Sequence, residues 1–184
     1  MRIELTATEL LKRRLVLAGL QPLNSGLDYR STEGVDVDTI VTFRLRQWYL
    51  DLLDHGAPPM LAPENIAADV GSFAAAAPSG GVAIELPAAC RRVFSLKMKG
   101  WQRSAPVGQE TGLSDAIRRQ LNPYSAATAA RPLAILSGRT ILAWPAGTGP
   151  QVQELTAVLD PGPGLYIMDE SALSTLPVTD ILQI

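Results

Sequence analysis

The 184-residue chain is nearly devoid of cysteine and histidine, with Cys90 and His55 as the single examples. One cysteine cannot close an internal disulfide, and a structural zinc site needs about four cysteine or histidine ligands. No spaced acidic loop of the calcium-binding type is present either. The sequence therefore predicts a fold that rests on its apolar core, with no metal site and no cofactor.

The chain also has few aromatic residues and no excess of either charge. Aromatic residues make up 5% of it and the formal net charge is −2, with an isoelectric point near 5.4. This excludes a basic nucleic-acid-binding domain, and it is a poor composition for stacking single-stranded bases. The hydrophobic fraction of 47% is sufficient for a real core.

Long apolar runs are missing as well. No run approaches the ~20 residues of a membrane-spanning helix, and Met1–Thr6 lacks the apolar centre of a signal peptide. We therefore expect no membrane insertion, with synthesis and assembly in a cytoplasm.

Two helices are predicted in the first third of the chain. Thr6-Ala7-Thr8-Glu9 is a capping box, and it opens a helix over residues 6–18 that buries Leu11, Leu15 and Ala18 and ends at Gly19. The second helix spans about residues 36–55, after a polar connection over residues 20–33. It carries apolar residues spaced by three or four: Val37, Val41, Leu45, Trp48 and Leu52.

This spacing predicts that Trp48 belongs to the core, whereas its neighbour Tyr49 lies off the apolar stripe and is a candidate interface residue. His55, at the end of the helix, suits the negative end of the helix dipole.

The rest of the chain is rich in turns and short apolar segments, which indicates strands. Residues 63–68 are predicted as a short helix and residues 73–81 as a loop. A short helix is predicted near 112–121, and Ser137-Gly138-Arg139 is predicted to close a hairpin. Strands are predicted at residues 82–86, 93–99, 133–136, 140–144, 152–159 and 165–168.

The pattern favours the α+β class, as one chain unit of residues 1–184. Its helical part is expected at residues 1–72, with two main antiparallel helices. Residues 73–184 are expected to form a mainly β part, a small antiparallel sheet or a barrel-like domain.

Motifs for catalysis are weak. A Cys90–His55 pair would need the two side chains to meet in space, and nothing around Cys90 resembles a nucleophile site. Arg91 and Arg92 lie in a corner between strands, where they are either a solvated face or a contact to an acidic partner or DNA. Trp101 ends a strand and either caps the core or contacts a partner.

The order of these elements resembles the head-to-tail adaptor proteins of short-tailed double-stranded DNA bacteriophages, also called ring, connector or tail tubular A proteins. The resemblance rests on three segments. They are the capped first helix and the second helix ending at Trp48 and Gly56, the Leu-Pro corner at residues 84–93 with the strand that follows to Arg103, and the hairpin whose second strand ends in Trp144-Pro145.

The resemblance implies a structural virion protein without enzymatic activity. Such proteins form a dodecameric ring beneath the portal, seat the tail nozzle or tail tube, and let packaged DNA pass through a central channel. The chain departs from the pattern because it lacks a long charged C-terminal helix. Its apolar end, with Ile181, Leu182 and Ile184, is instead a candidate strand for pairing with a neighbour.

Two other functions stay open at this point. One is another tail, baseplate or stopper component of a phage, which differs from an adaptor in its partner. The other is a small hydrolase that uses Cys90 and His55.

Overall fold

The computed structural model of the chain describes residues 1–19, 37–78 and 80–177. The helices are α1 Ala7–Leu17, α2 Val37–His55 and α3 Leu113–Gln120. The strands are β1 Arg2–Thr6, β2 Glu64–Asn65, β3 Phe73–Ala76, β4 Gly81–Glu85, β5 Cys90–Met98, β6 Ala105–Gly108, β7 Leu133–Ser137, β8 Thr140–Trp144, β9 Val152–Leu159 and β10 Leu165–Asp169.

The chain divides into two compact units. Unit 1 combines Met1–Ala62 with Asp160–Ile184, and unit 2 is the continuous segment Pro63–Leu159. Unit 1 therefore combines two segments from opposite ends of the sequence, and contacts between residues far apart in the chain hold them together.

Unit 1 starts with a strand. In β1 every second residue is buried, with Ile3 and Leu5 facing inward, as the period of two requires. This strand pairs antiparallel with β10, where Ile3 lies opposite Met168 and Leu5 opposite Tyr166. The N-terminal ammonium group contacts Asp169 at 2.6 Å and, as the largest cause, lowers the pKa of that carboxyl group to about 2.

The predicted capping box at the start of α1 is confirmed. The amide of Glu9 donates to the Thr6 hydroxyl, and the amide of Thr6 donates to the Glu9 carboxylate at 2.9 Å. The bond from the Thr6 backbone is the largest cause of the lowered pKa of Glu9. The helix ends before Gly19, which has a positive φ of 70°, as expected for such a cap.

The predicted buried face of α1 is only partly right. Leu10 is the fully buried residue, Leu11 and Leu15 are half-buried, and Ala18 is exposed. The helix packs against β1, β10 and a 3₁₀ helix at Glu170–Thr175, and Arg14 donates from Nε to the carbonyl of Leu176 at 2.9 Å. Two of these partners, β10 and the 3₁₀ helix, lie far from α1 in the sequence, so the position of the buried face could not be read from α1 alone.

Unit 2 contains one eight-stranded sheet in the order β2-β9-β5-β6-β7-β8-β4-β3. Strand β6 joins the two halves of this sheet. Its first residues pair antiparallel with β5, and Val107 and Gly108 pair parallel with Ala134 and Ile135 of β7. The other strand pairs of the sheet are antiparallel, including the predicted hairpin of β7 and β8.

The core of unit 2 contains buried side chains from strands β4 to β9 of this sheet, together with a few residues that directly follow a strand. Its largest fully enclosed members are Ile66, Ile84, Leu96, Met98, Ile141 and Leu155. Trp144 packs against Gly81, where an added Cβ would lie 2.2 Å from the indole nitrogen. The sheet therefore needs glycine at this position of β4.

The Leu-Pro corner between β4 and β5 is held by Arg139 of the β7–β8 turn. Its guanidinium group donates to the carbonyls of Leu86, Pro87 and Ala88 at 3.2, 2.6 and 3.4 Å. The planar fork of arginine suits such a set of acceptors, so the corner and the hairpin form one substructure.

The chain is α+β, but the predicted arrangement is wrong. An N-terminal two-helix part followed by a small sheet does not exist, because the helices are few and the central part is a large eight-stranded sheet. Residues 63–68 form β2 and the start of a 3₁₀ helix rather than an α-helix, and Phe73–Ala76 forms an edge strand rather than a loop. Alanine has little preference for strands, so pairing with β4 decides the outcome.

The other strand predictions agree with the structure to within a few residues, and the helix predicted near 112–121 is α3. The connection at residues 20–33 and the start of the second helix at Asp36 lie outside the described residues.

Candidate interaction surfaces

Tyr49 is the central buried residue of α2. Its side chain is fully buried, and its ring contacts Tyr166 edge-on with centroids 5.1 Å apart. The hydroxyl donates to the carbonyl of Ile167 and accepts from the amide of the same residue. Burial, as the largest cause, raises the pKa of Tyr49 to about 12.

The prediction that Tyr49 lies off the buried stripe is therefore wrong. Over residues 39–55 of α2, the buried residues are Val41, Leu45, Tyr49, Leu52 and Leu53, while Trp48 is only half-buried. From Leu45, a step of four residues turns a helix by about 40° beyond a full circle, and a step of three falls about 60° short. Trp48 and Tyr49 therefore both lie within reach of a broad apolar face. Tyr49 is the buried one because its hydroxyl group bonds the carbonyl and amide of Ile167 in β10.

Arg46 lies three residues before Tyr49 on α2, and its side chain is largely buried. It forms a salt bridge with Asp160, in which the two side chains are 21% and 18% exposed. It also donates to the carbonyl of Gly162 at 3.0 Å, while Asp160 accepts from the amide of Gly162. This network fastens α2 to the turn that leads into β10.

A shallow groove of about 420 Å³ lies in unit 1 between α2 and this turn. Thr39, Thr42, Phe43 and Arg46 line it from the helix, and Gly164 and Tyr166 line it from the other side. Phe43 is 61% exposed, which is high for an aromatic side chain. The groove is thus an apolar surface with one basic group that is already paired.

Other large apolar side chains are exposed in both units. Val16 and Leu17, at the end of α1, are each 61% exposed. In unit 2, Leu121 follows α3 and is 69% exposed, and Tyr124 is fully exposed. Exposed aromatic and leucine side chains of this kind often mark contact surfaces between proteins.

The candidate interface residues of unit 2 differ in their surroundings. Arg91 is exposed, whereas Arg92 is half-buried and its guanidinium carbon lies 5.1 Å from the ring centre of Phe94. Trp101 is 5% exposed and donates from its indole nitrogen to the carbonyl of Pro145 at 2.8 Å. Trp101 therefore belongs to the core and is not a surface residue, because its polar group is satisfied inside the unit.

The C-terminal candidates Ile181, Leu182 and Ile184 lie outside the described residues. Within the parts of the chain that the structure describes, no group of three or more His, Cys, Asp or Glu residues is placed to hold a metal ion. Among the described helices, none has both the length and the apolar character that a bilayer crossing requires.

Cys90 and His55 each have a local explanation. His55 is the last residue of α2 and its Nδ1 lies 2.9 Å from Oδ1 of Asp51, one turn earlier in unit 1. Cys90 begins β5 in unit 2, where burial raises the pKa of its thiol and Arg139 lowers it to a smaller extent. A raised thiol pKa is opposite to the shift that activates a nucleophilic cysteine.

Sequence reasoning overlooked Phe43, Val16 and Leu17. A signal existed for Phe43, since it lies two residues from both Val41 and Leu45 and so on the opposite side of the helix from the apolar stripe. Val16 and Leu17 follow Leu15 without a break, and only the packing of α1 shows which of the three faces solvent.

The chain matches no protein-family model, and no curated protein matches it significantly.

Proposed function

We propose that the chain is a structural virion protein, a head-to-tail adaptor that forms a ring beneath the portal and contributes to the channel through which DNA leaves the capsid. The proposal starts from the order of three segments along the chain: the capped helix with its Trp-containing partner, the Leu-Pro corner, and the Trp-Pro hairpin. In this proposal the protein performs no chemistry and works in the virion.

The observation that carries the proposal furthest is the exposure of large apolar side chains in both units. Phe43, Val16 and Leu17 in unit 1 and Leu121 and Tyr124 in unit 2 are all more than half exposed. Such side chains are costly in water, and an assembly that covers them recovers that free energy. Ring formation and contact with portal and tail proteins supply this kind of cover.

Electron microscopy tests the proposal most directly. Purified full-length protein, alone and mixed with the portal protein of the same genome, is examined by negative stain and mass photometry. We expect rings, twelvefold as the resemblance implies, either alone or seated on the portal. A protein that stays monomeric at every concentration and does not bind the portal would reject the proposal.

A second candidate is another tail or stopper component of a phage. The same exposed surfaces favour it, since they indicate assembly without identifying the partner. Binding to the purified tail nozzle or tail tube protein, in the absence of any binding to the portal, would select this candidate.

A further inference from the structure

Unit 1 presents two exposed helical faces that carry opposite charges beside apolar side chains. The α1 face consists of Arg13, Val16 and Leu17, all exposed near the end of α1. The α2 face consists of Thr39, Phe43, Gln47 and Asp51, which are all exposed and spaced by four residues. Each face combines a large apolar side chain with one charge, and the two charges are opposite.

We propose that the α1 face of one copy packs antiparallel on the α2 face of a second copy. In this arrangement Leu17 fills the groove beside Phe43, and Arg13 faces Asp51. The inference deepens the ring proposed above and rests on it, because it identifies the surfaces through which neighbouring copies meet.

The spacing along the two helices leaves about 6 Å between the positions of Arg13 and Asp51, which the Arg13 side chain has to span. Phe43 and Asp51 are eight residues apart, or about 12 Å along α2. Leu17 and Arg13 are about 6 Å apart along α1, and the long Arg13 side chain leans toward the N-terminus of its helix, which lengthens this reach. The antiparallel direction is required, because the parallel one would move Arg13 away from Asp51.

The electrostatic environment of each charge is favourable for such a contact. Lys12 accompanies Arg13 on α1, and both interact with Glu9, whose pKa they help to lower. Asp51 is 75% exposed and is joined by His55 at 2.9 Å. The carboxylate of Asp51 therefore keeps open acceptor positions on its solvent side for a guanidinium group from a neighbour.

The two faces belong to different helices of the same chain. Two copies that made both contacts with each other would form a closed dimer, whereas the proposed ring requires one such contact per neighbour, which is heterologous and adds further copies head to tail. Such a contact closes into a ring when the rotation per copy permits, which is the assembly the proposed function needs.

Cysteine cross-linking tests this contact in the full chain. Cys90→Ser removes the native thiol, and Leu17→Cys or Phe43→Cys is added to it in separate proteins. After mild oxidation, we expect the mixture of the two to give at least about tenfold more covalent dimer than either protein alone. A mixture of Tyr124→Cys with Phe43→Cys is the matched control, because Tyr124 is fully exposed and lies in unit 2.

Charge exchange provides the second readout. Arg13→Glu and Asp51→Arg should each weaken self-association roughly twofold to fivefold, as expected for an exposed ion pair, and the double variant should recover most of it. Leu17→Glu should weaken it about tenfold or more, because a buried leucine is lost.

The outcomes separate this inference from the proposed function. Rings that form without excess cross-linking in the mixture overturn the contact and leave the ring intact. A cross-link that forms only within one chain of the Leu17→Cys/Phe43→Cys double variant also overturns it, because the α2 face is then covered by its own chain. A protein that is monomeric throughout and does not bind the portal rejects both proposals.

Discussion

The phenolic oxygen of Tyr49 forms two hydrogen bonds with the backbone of Ile167, one to its carbonyl at 2.9 Å and one from its amide at 3.0 Å. Both backbone groups of Ile167 therefore point away from β1 and toward α2. Among the described residues, the β1–β10 pair has no third strand, so the side chain of Tyr49 satisfies the edge of β10 where another strand would otherwise be needed. One hydroxyl thus fixes α2 against the sheet.

Removing this hydroxyl should destabilise the protein. We expect Tyr49→Phe to lower the free energy of unfolding by about 1–3 kcal/mol, because the amide and carbonyl of Ile167 lose their partner in a buried place. Tyr166→Phe is the matched control. The hydroxyl of Tyr166 is buried with no partner among the described residues, so its loss should be neutral or stabilising. Urea unfolding of both variants measures the difference, and equal losses in the two would contradict the role given to Tyr49.

The raised pKa of Tyr49 predicts a loss of stability in alkali. The folded-state value of about 12 lies above the ordinary value of 10, so the folded protein holds this proton more tightly than the unfolded chain. The contribution is complete below pH 10 and is lost as pH rises from 10 to 12. Tyr49→Phe should flatten the fall in unfolding free energy over this range, and an unchanged slope would argue against it.

The Arg46–Asp160 pair should contribute through coupling rather than through either residue alone. We expect Arg46→Met and Asp160→Asn each to cost about 1–3 kcal/mol, because each leaves a largely buried group without its partner. The double variant should cost less than the sum, with a coupling of about 0.5–3 kcal/mol. Thermal and urea unfolding of the full cycle measure this coupling, and strictly additive losses would show that the pair does not act as a unit.

Gly81 should not tolerate even one methyl group. We expect Gly81→Ala to cost about 1–3 kcal/mol by overpacking against Trp144, whereas Gly71→Ala, at an exposed site with open space around it, should change little. Trp144→Phe should relieve the clash, so that it costs less in the Gly81→Ala background than in the wild type. If Trp144→Phe costs the same in both backgrounds, the contact is not the cause.

The Cys90 thiol should react slowly at neutral pH. Because burial raises its pKa, the alkylation rate of the native protein should rise at a higher pH than that of the urea-unfolded chain. The measurement is the pH profile of iodoacetamide labelling followed by mass spectrometry. A native thiol with a pKa below that of the unfolded chain would contradict the raised pKa and would favour the alternative of a hydrolase that uses Cys90.

Much of the local structure follows from the sequence alone. The capping box at Thr6, the end of α1 before Gly19, and the hairpin around Gly138 depend on bonds or dihedral preferences within a few residues, so the residues themselves determine them. The end of α2 at His55, just before Gly56, is determined in the same way.

The tertiary structure decided the rest, because it depends on contacts between residues far apart in the chain. Pairing of β1 with β10 places the first and last described segments in one unit, and no local pattern in Arg2–Thr6 identifies that partner. The carbonyl and amide of Ile167 point away from β1 and bond the Tyr49 hydroxyl, which places Tyr49 in the core in place of Trp48. Pairing with β4 makes a strand of Phe73–Ala76, although its alanines have little preference for one, since a missing hydrogen bond costs more than a propensity of a few tenths of a kcal/mol.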